Sequence, residues 1–229
     1  MGSGAGAQPQ SYNSFSGRQN SPTVSILWEI MAKQIKKKAK HKRASSRSVA
    51  PNPVPRPDPA ALQIAIWPAP VLKRPADPVE HVDGWLIQVI QKMKELMEQN
   101  HGVGLAAPQV GLPLRFFVAS ETGKAADARV FINPVLTEQS GDEEAEEGCL
   151  SLPEIRGKIS RFTQLRISAL DEQSRPIAVD LSGFPARIVQ HENDHLDGVL
   201  IIDRMSPMAR MANRKKLKEL QESSEKISK

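Results

Sequence analysis

The sequence predicts an α+β fold, with antiparallel or mixed β-sheets packed around one central helix. Three observations carry this. A helical period runs over 83–101. Four short strand-like segments follow between 114 and 181. A second helical segment, 184–196, comes after the strands and carries His191-Glu192-Asn193-Asp194-His195.

Each element has its own warrant. Residues 62–72 (LQIAIWPAPVL) predict a short strand ending at Pro68. In 83–101, Leu86, Val89, Ile90, Met93, Leu96 and Met97 recur at spacings of three and four, Asp83 suits an N-cap and Gly102 a stop. Strands are expected over 114–119, 129–135, 163–170 and 176–181, separated by Gly, Pro and Asp. In 184–196, Pro185 suits the first turn, where a missing N–H costs nothing, and Gly198 ends the helix. No internal repeat is evident.

Composition bounds the class. The chain has 229 residues, 39% of them hydrophobic and 4% aromatic, enough for one domain with tails. The apolar stretch Val24 to Met31 is interrupted by Ser25 and Glu29, and falls short of the roughly 20 residues a spanning helix needs. Cys149 is the one cysteine, so no intramolecular disulfide forms, which fits a reducing compartment. Charge is uneven: residues 1–60 hold ten Lys/Arg against two acids, the remainder 21 against 24.

The predicted organisation follows. Residues 1–60 form a disordered basic and Pro-rich extension, with a cationic run at 33–47 and the linker PNPVPRPDP at 51–59. Residues 61–207 form the folded domain, and 208–229 a charged C-terminal helix or tail with apolar Met211, Leu217 and Leu220.

The chemistry concentrates in three segments. In a helix, His191 and His195 lie on one face and reach one metal ion, and Glu192 sits where it can take a proton from water. The bland alternative is two surface histidines on a charged helix. A metal also needs a third ligand and an open position. No histidine follows His195, and Glu219, Glu222 and Glu225 lie in the charged tail, so Cys149 in EGCLS is the better candidate. Its alternative is an inert buried thiol. The third segment is Gly102-Val103-Gly104-Leu105-Ala106-Ala107-Pro108-Gln109. It is either a helix C-cap and turn, or a close approach for substrate backbone with the Gln109 amide as donor.

Together GVGLAAPQ, EGCLS and QHENDH, in this order, resemble the three signature motifs of the peptide deformylase family. The resemblance covers roughly 62–205. It implies metal ligands Cys149, His191 and His195, the general base Glu192, and oxyanion donors in the Gln109 side chain and the Leu150 backbone N–H. Gly104 would form the tight turn beside substrate, and Arg156 would lie at the peptide cleft. Val103 and Ile188 are expected near the methionine side-chain pocket. The implied reaction is metal-dependent removal of the formyl group from N-terminal formyl-methionine of nascent polypeptides, releasing formate. The implied ion is one Fe²⁺ per chain, replaceable by Zn²⁺, Ni²⁺ or Co²⁺. Two features depart from the family: SGFPARIV has a proline where an aliphatic residue is expected, and the basic extension is long.

The implied partners are N-formylated nascent peptides, with the ribosome contacted through the charged 208–229 segment, whose alternative is a fraying solvated helix. The basic N-terminal run is a solvated tail, a ribosome-directed arm or a targeting segment. No membrane is implied. The 33–47 run lacks interleaved aromatics and any RNA-binding motif, so no specific nucleic-acid sequence is expected. The cytoplasm is the expected location. The alternative is an organelle, if 1–50 is a transit segment. Met31 is a second candidate start. Two rival functions are a His-Glu-x-x-His peptidase with a downstream Glu ligand, and a catalytically idle binding protein.

Overall fold

The computed structural model describes residues 56–227. The extension expected over 1–60 therefore lies outside the described residues up to position 55. From Arg56 on, the chain is held. The Arg56 guanidinium stacks over the Trp85 ring at 5.1 Å and pairs with Asp83, and the Trp85 indole N–H donates to Pro57 O.

Helix α1 spans Gly84–Gln99, capped as expected by the Asp83 side chain, which accepts from Leu86 N at 3.0 Å. Such a cap is worth about 1 kcal/mol. All six periodic apolar residues of 83–101 are buried.

Five strands form one sheet: β1 (Gly104–Ala106), β2 (Phe116–Ala119), β3 (Arg129–Ser140), β6 (Gln164–Leu170) and β7 (Pro176–Ser182), in the order β1-β2-β3-β6-β7. Every pairing is antiparallel. β4 (Glu143–Cys149) and β5 (Leu152–Arg161) form a separate antiparallel hairpin.

The sheet divides the core. In β2, Phe116 and Val118 join the cluster around α1, whereas Phe117 and Ala119 join the one containing helix α2 (Phe184–Leu196). This is the period-two alternation of a strand buried on both faces. The sheet therefore lies between α1 and α2.

α2 begins on Gly183, with Pro185 in its first turn, so the proline fits the helix start. Gly198, at φ +73°, follows its end, and a Cβ there would meet the Arg74 backbone. Three more helices follow: α3 (Ile201–Arg204), α4 (Pro207–Ala212) and α5 (Arg214–Ile227).

The C-terminal segment packs on the hairpin. Leu217 and Leu220 lie against the cluster of Leu152, Ile155, Ile159 and Met205, and Lys216 Nζ donates to Glu154 O at 3.0 Å. No helix among the described residues is long and apolar enough to cross a membrane.

Two expectations need correction. Residues 62–72 form no strand. Ala65 N donates to Gln109 O, Trp67 N donates to Ser151 O, and Pro70–Lys73 closes as a 3₁₀ turn. These N–H groups bond to two different segments, so no continuous ladder forms. Secondly, β1 and the β4–β5 hairpin are strands that the sequence pattern does not announce.

Candidate metal centre

The site joins elements far apart in sequence. Helix α2 presents His191 and His195, and the hairpin presents Cys149 at the end of β4. The Cys149 Sγ lies 3.3 Å from His195 Nε2, which lies 3.3 Å from His191 Nε2, and the three ligand atoms are all within 4.8 Å of one another. A tetrahedral ion with one sulfur and imidazole nitrogens sets its ligand atoms about 3.3–3.6 Å apart. One thiol and two imidazoles in this arrangement fit a divalent transition metal and leave a fourth position for water or substrate.

Cys149 reaches this place through a break in the ladder. β4 and β5 pair regularly from Glu143↔Arg161 to Gly148↔Arg156, and then the register shifts so that Cys149 pairs with Leu152. Leu150 and Ser151 form the turn between them.

Glu192 follows His191 on α2 and is 4% exposed, and its Oε2 has no hydrogen-bond partner among the described residues. Burial, the dominant cause, pushes its pKa up to about 7, while the positive charge on His191 pulls it down. Gly104 explains how the carboxylate fits: a Cβ at 104 would meet Glu192 Oε1, with Cδ at 2.6 Å and Cγ at 2.8 Å. The glycine thus makes room for the acid. The family resemblance implies a turn beside substrate for the same glycine.

Gln109 is 1% exposed. Its Oε1 accepts from Ala106 N at 2.8 Å, which turns the amide N–H₂ toward Cys149 Sγ at 3.5 Å and Ser151 Oγ at 3.3 Å. Leu150 follows Cys149 and its side chain lies over Gly102. Val103 packs against the apolar cluster that contains Ile188, on the α2 side of the sheet. Arg156 stands apart: it pairs across the hairpin with Gly148, and its exposed side chain forms an ion pair with Glu146 at 3.6 Å.

Several residues that matter were not found by sequence reasoning. Glu147 Oε2 lies 2.9 Å from His191 Nδ1, which fixes the ring with Nε2 toward the cluster. Arg161 grips Glu147 through two bonds, Nε at 3.0 Å and Nη2 at 2.9 Å, and Arg187 Nη1 adds a third at 2.7 Å. Burial raises the Glu147 pKa, but the bonds from His191 and Arg161 outweigh it and hold the carboxyl well below the usual range. Glu147 is the first residue of the EGCLS motif, so its place in that motif was the one signal for it. Nothing in a single sequence marks Arg161 or Arg187.

The two histidines differ electrostatically. His191 is pushed up to about 10: burial opposes its charge, but hydrogen bonds with Cys149 and Glu147 and the Glu192 charge prevail. His195 is held well below its ordinary value by burial and then by the His191 charge. Its Nδ1 has no hydrogen-bond partner among the described residues. The arrangement that holds a proton on His191 favours any cation placed among the three ligand atoms, so metal loading and protonation compete.

The chain is similar to known proteins over this same region. The model of the polypeptide deformylase family matches residues 61–211. A peptide deformylase of Thermodesulfovibrio yellowstonii is 40% identical over 161 residues, covering 69% of this chain and 98% of that one. One of Thermotoga neapolitana is 43% identical over 162 residues, covering 70% and 97%. Among solved structures, peptide deformylase of Plasmodium falciparum superposes with a TM-score of 0.69 at 38% identity, covering 71% of this chain and 97% of that one. That of Legionella pneumophila gives 0.67 at 36%, covering 71% and 96%. With identity at this level across nearly the whole length of its relatives, the chain belongs to the polypeptide deformylase family.

Proposed function

We propose that Cys149, His191 and His195 hold a divalent ion at which this chain hydrolyses the N-formyl group of nascent polypeptides beginning with formyl-methionine, releasing formate. One observation carries the reading: three ligand atoms of suitable softness lie within 4.8 Å beside a buried carboxylate with a free oxygen. When bound, the ion lowers the pKa of water from about 15.7 toward about 7 and polarises the formyl oxygen.

The chain's own residues do the rest. Glu192 Oε2 accepts the proton of the attacking water. The Gln109 N–H₂ and the Leu150 N–H donate to the oxyanion as the formyl carbon becomes tetrahedral. Losing one such donor typically costs roughly 10²–10³ in rate. As the C–N bond breaks, Glu192 passes its proton to the leaving amine, so formate and a free amino terminus result. Glu147 keeps His191 oriented throughout. Gly104 leaves the space that Glu192 occupies. Val103 and Ile188 line the methionine side-chain pocket, and Arg156 stands at the mouth of the peptide cleft.

Fe²⁺ is the proposed ion, one per chain, with Zn²⁺, Ni²⁺ or Co²⁺ able to substitute. A ferrous thiolate site is oxygen-sensitive, because the thiolate oxidises. The decisive experiment assays formate release from a formyl-Met-Ala peptide under anaerobic conditions, with and without Fe²⁺, beside Cys149→Ala. Metal-dependent release lost in the variant supports the reading. Release that survives in Cys149→Ala refutes the ligand set.

We place action in the cytoplasm on emerging chains, with α5 as the ribosome contact through Arg214, Lys215 and Lys218. Co-sedimentation with ribosomes that persists after deletion of 208–229 would remove that role. N-terminal sequencing of natural protein decides the organellar alternative: a cut near residue 50 establishes it.

A further inference from the structure

The three proposed ligands come from two elements, and something must keep those elements in step. The β4–β5 ladder does not do this for Cys149, which lies beyond its register shift. The His191–Glu147 bond joins hairpin and helix, but it does so through a ligand itself.

Two further ties avoid the ligands. Arg187 of α2, a full turn before His191, donates to Glu147, Ile159 O and Glu143 O of the hairpin. Arg161 acts next to the ligands at both ends. Arg161, the last residue of β5, holds Glu147 of the hairpin with Nε and Nη2, and reaches across with Nη1 to Asp194 of α2 at 2.5 Å. Asp194 sits immediately before His195. Its carboxylate also receives Arg204 of α3 through Nε and Nη2, both at 2.5 Å. The side chains of Arg161, Glu147 and Asp194 are 3%, 6% and 9% exposed, so water does not substitute for these bonds. We infer that Arg161 is a positioning residue that sets the distance between the Cys149 thiol and the histidine pair by clamping Glu147 and Asp194 in one guanidinium.

The chemistry requires arginine. Its planar fork places separate donors on two carboxylates, whereas lysine offers one compact charge on a flexible stem. Arg161→Lys keeps the charge and loses the span. Outer-sphere partners of metal ligands typically contribute 10–100-fold to metal affinity. The inference rests on the Cys149–His191–His195 reading, so its test must separate the two.

The test is cobalt(II) binding to the full chain, followed by optical absorption: the thiolate-to-cobalt charge-transfer band reports Cys149, and the visible d–d bands report occupancy. Cys149→Ala fixes the spectrum without thiolate. Arg166→Ala, which breaks the surface pairing with Asp180 and Glu138, is the control for a lost ion pair elsewhere. Arg161→Lys should bind cobalt about ten-fold or more weakly. Its charge-transfer band should be reduced relative to the d–d bands, and Arg166→Ala should match wild type. Wild-type affinity and band in Arg161→Lys, with both lost in Cys149→Ala, overturns the inference and leaves the site intact. Full affinity and band in Cys149→Ala overturns the ligand reading and this inference with it. If Arg161→Lys fails to fold, Asp194→Ala carries the same test with the same expected loss, since it removes the acceptor on the helix side of the clamp and leaves the Glu147 fork in place, with Arg204→Ala as the control for the second pairing it loses.

Discussion

Gly104→Ala tests the crowding around the base. In the wild-type chain the Glu192 carboxyl occupies the space a side chain at 104 would need. An alanine Cβ would meet Oε1, and would lie 2.6 Å from Cδ and 2.8 Å from Cγ, where ordinary contact begins at 3.4 Å. The Cδ must therefore retreat by about 0.8 Å, the difference between 2.6 and 3.4 Å. Gly104 is fixed opposite Ala119 in the sheet and Glu192 is fixed on α2, so the side chain absorbs the displacement. A misplacement of about 1 Å in a catalytic group can cost roughly 10²-fold, equivalent to about 2.7 kcal/mol of transition-state stabilisation. The expected result is a loss of that order in kcat/KM for formate release, with metal content and thermal midpoint near wild type. Wild-type turnover in a fully loaded Gly104→Ala would refute the argument that this glycine makes room for the base.

Four further outcomes follow from the same geometry. Glu192→Gln should retain metal and lose roughly 10²–10⁴ in kcat; near-wild-type turnover would remove Glu192 as the base. A base whose pKa is pushed up to about 7 works ionised, so activity should fall as pH drops through it, and a bound cation lowers that value. The acid limb of kcat/KM should therefore lie at or below about 7, and a limb centred above 8 would contradict the assignment. Glu147→Gln should weaken metal binding about 10–100-fold, measured by competition with a chelator. Because the folded pKa of Glu147 is depressed, its contribution to stability is present above the ordinary value of 4.5 and is lost as pH falls below it. Glu147→Gln should accordingly show a flatter acid-denaturation profile than wild type.

Legibility of the sequence followed periodicity. The span of α1, its Asp83 cap, the span of α2 and four strands of the main sheet were all visible, because their apolar spacings match their geometry and their ends carry turn residues. The hairpin was invisible for two separate reasons. β4 reads EEAEEGC, with no apolar face to detect. In β5 the inward residues Leu152, Ile155 and Ile159 recur at spacings of three and four: Glu154, at φ +60°, shifts the phase of the strand between the first two, and side-chain-free Gly157 takes the position between the last two. A pattern of that kind imitates a helix. The 62–72 segment shows the opposite error: β-branched and aromatic residues suggested a ladder, but its N–H groups go to Gln109 and Ser151 instead. Motif residues that touch the reaction were legible because their spacing is local. Arg161 and Arg187 were not, since what defines them is contact across 14 and 40 positions of chain.

That buried charge network is hard to justify as a source of stability. Ion pairs taken out of water often contribute no more than well-packed apolar residues of the same volume. The requirement starts at His191. To present Nε2 to a cation, the ring needs a partner at Nδ1, and a carboxylate there also raises the basicity of the ligand. Glu147 must then be both buried and ionised, which is untenable without cations of its own, so Arg161 and Arg187 converge on it. With both Glu147 Oε1 and Oε2 engaged, the remaining arm of Arg161 needs an acceptor, and Asp194 on the ligand-bearing helix provides it. The same chain of needs stops short of Glu192, which among the described residues has no arginine bonded to it and keeps Oε2 without a partner. One acid is thereby pinned as an anion behind the metal ligands while its neighbour stays free to exchange a proton. The burial they share gives opposite chemistry because, among the described residues, the guanidinium groups bond directly only to Glu147, while Glu192 feels Arg161 only as a charge at a distance.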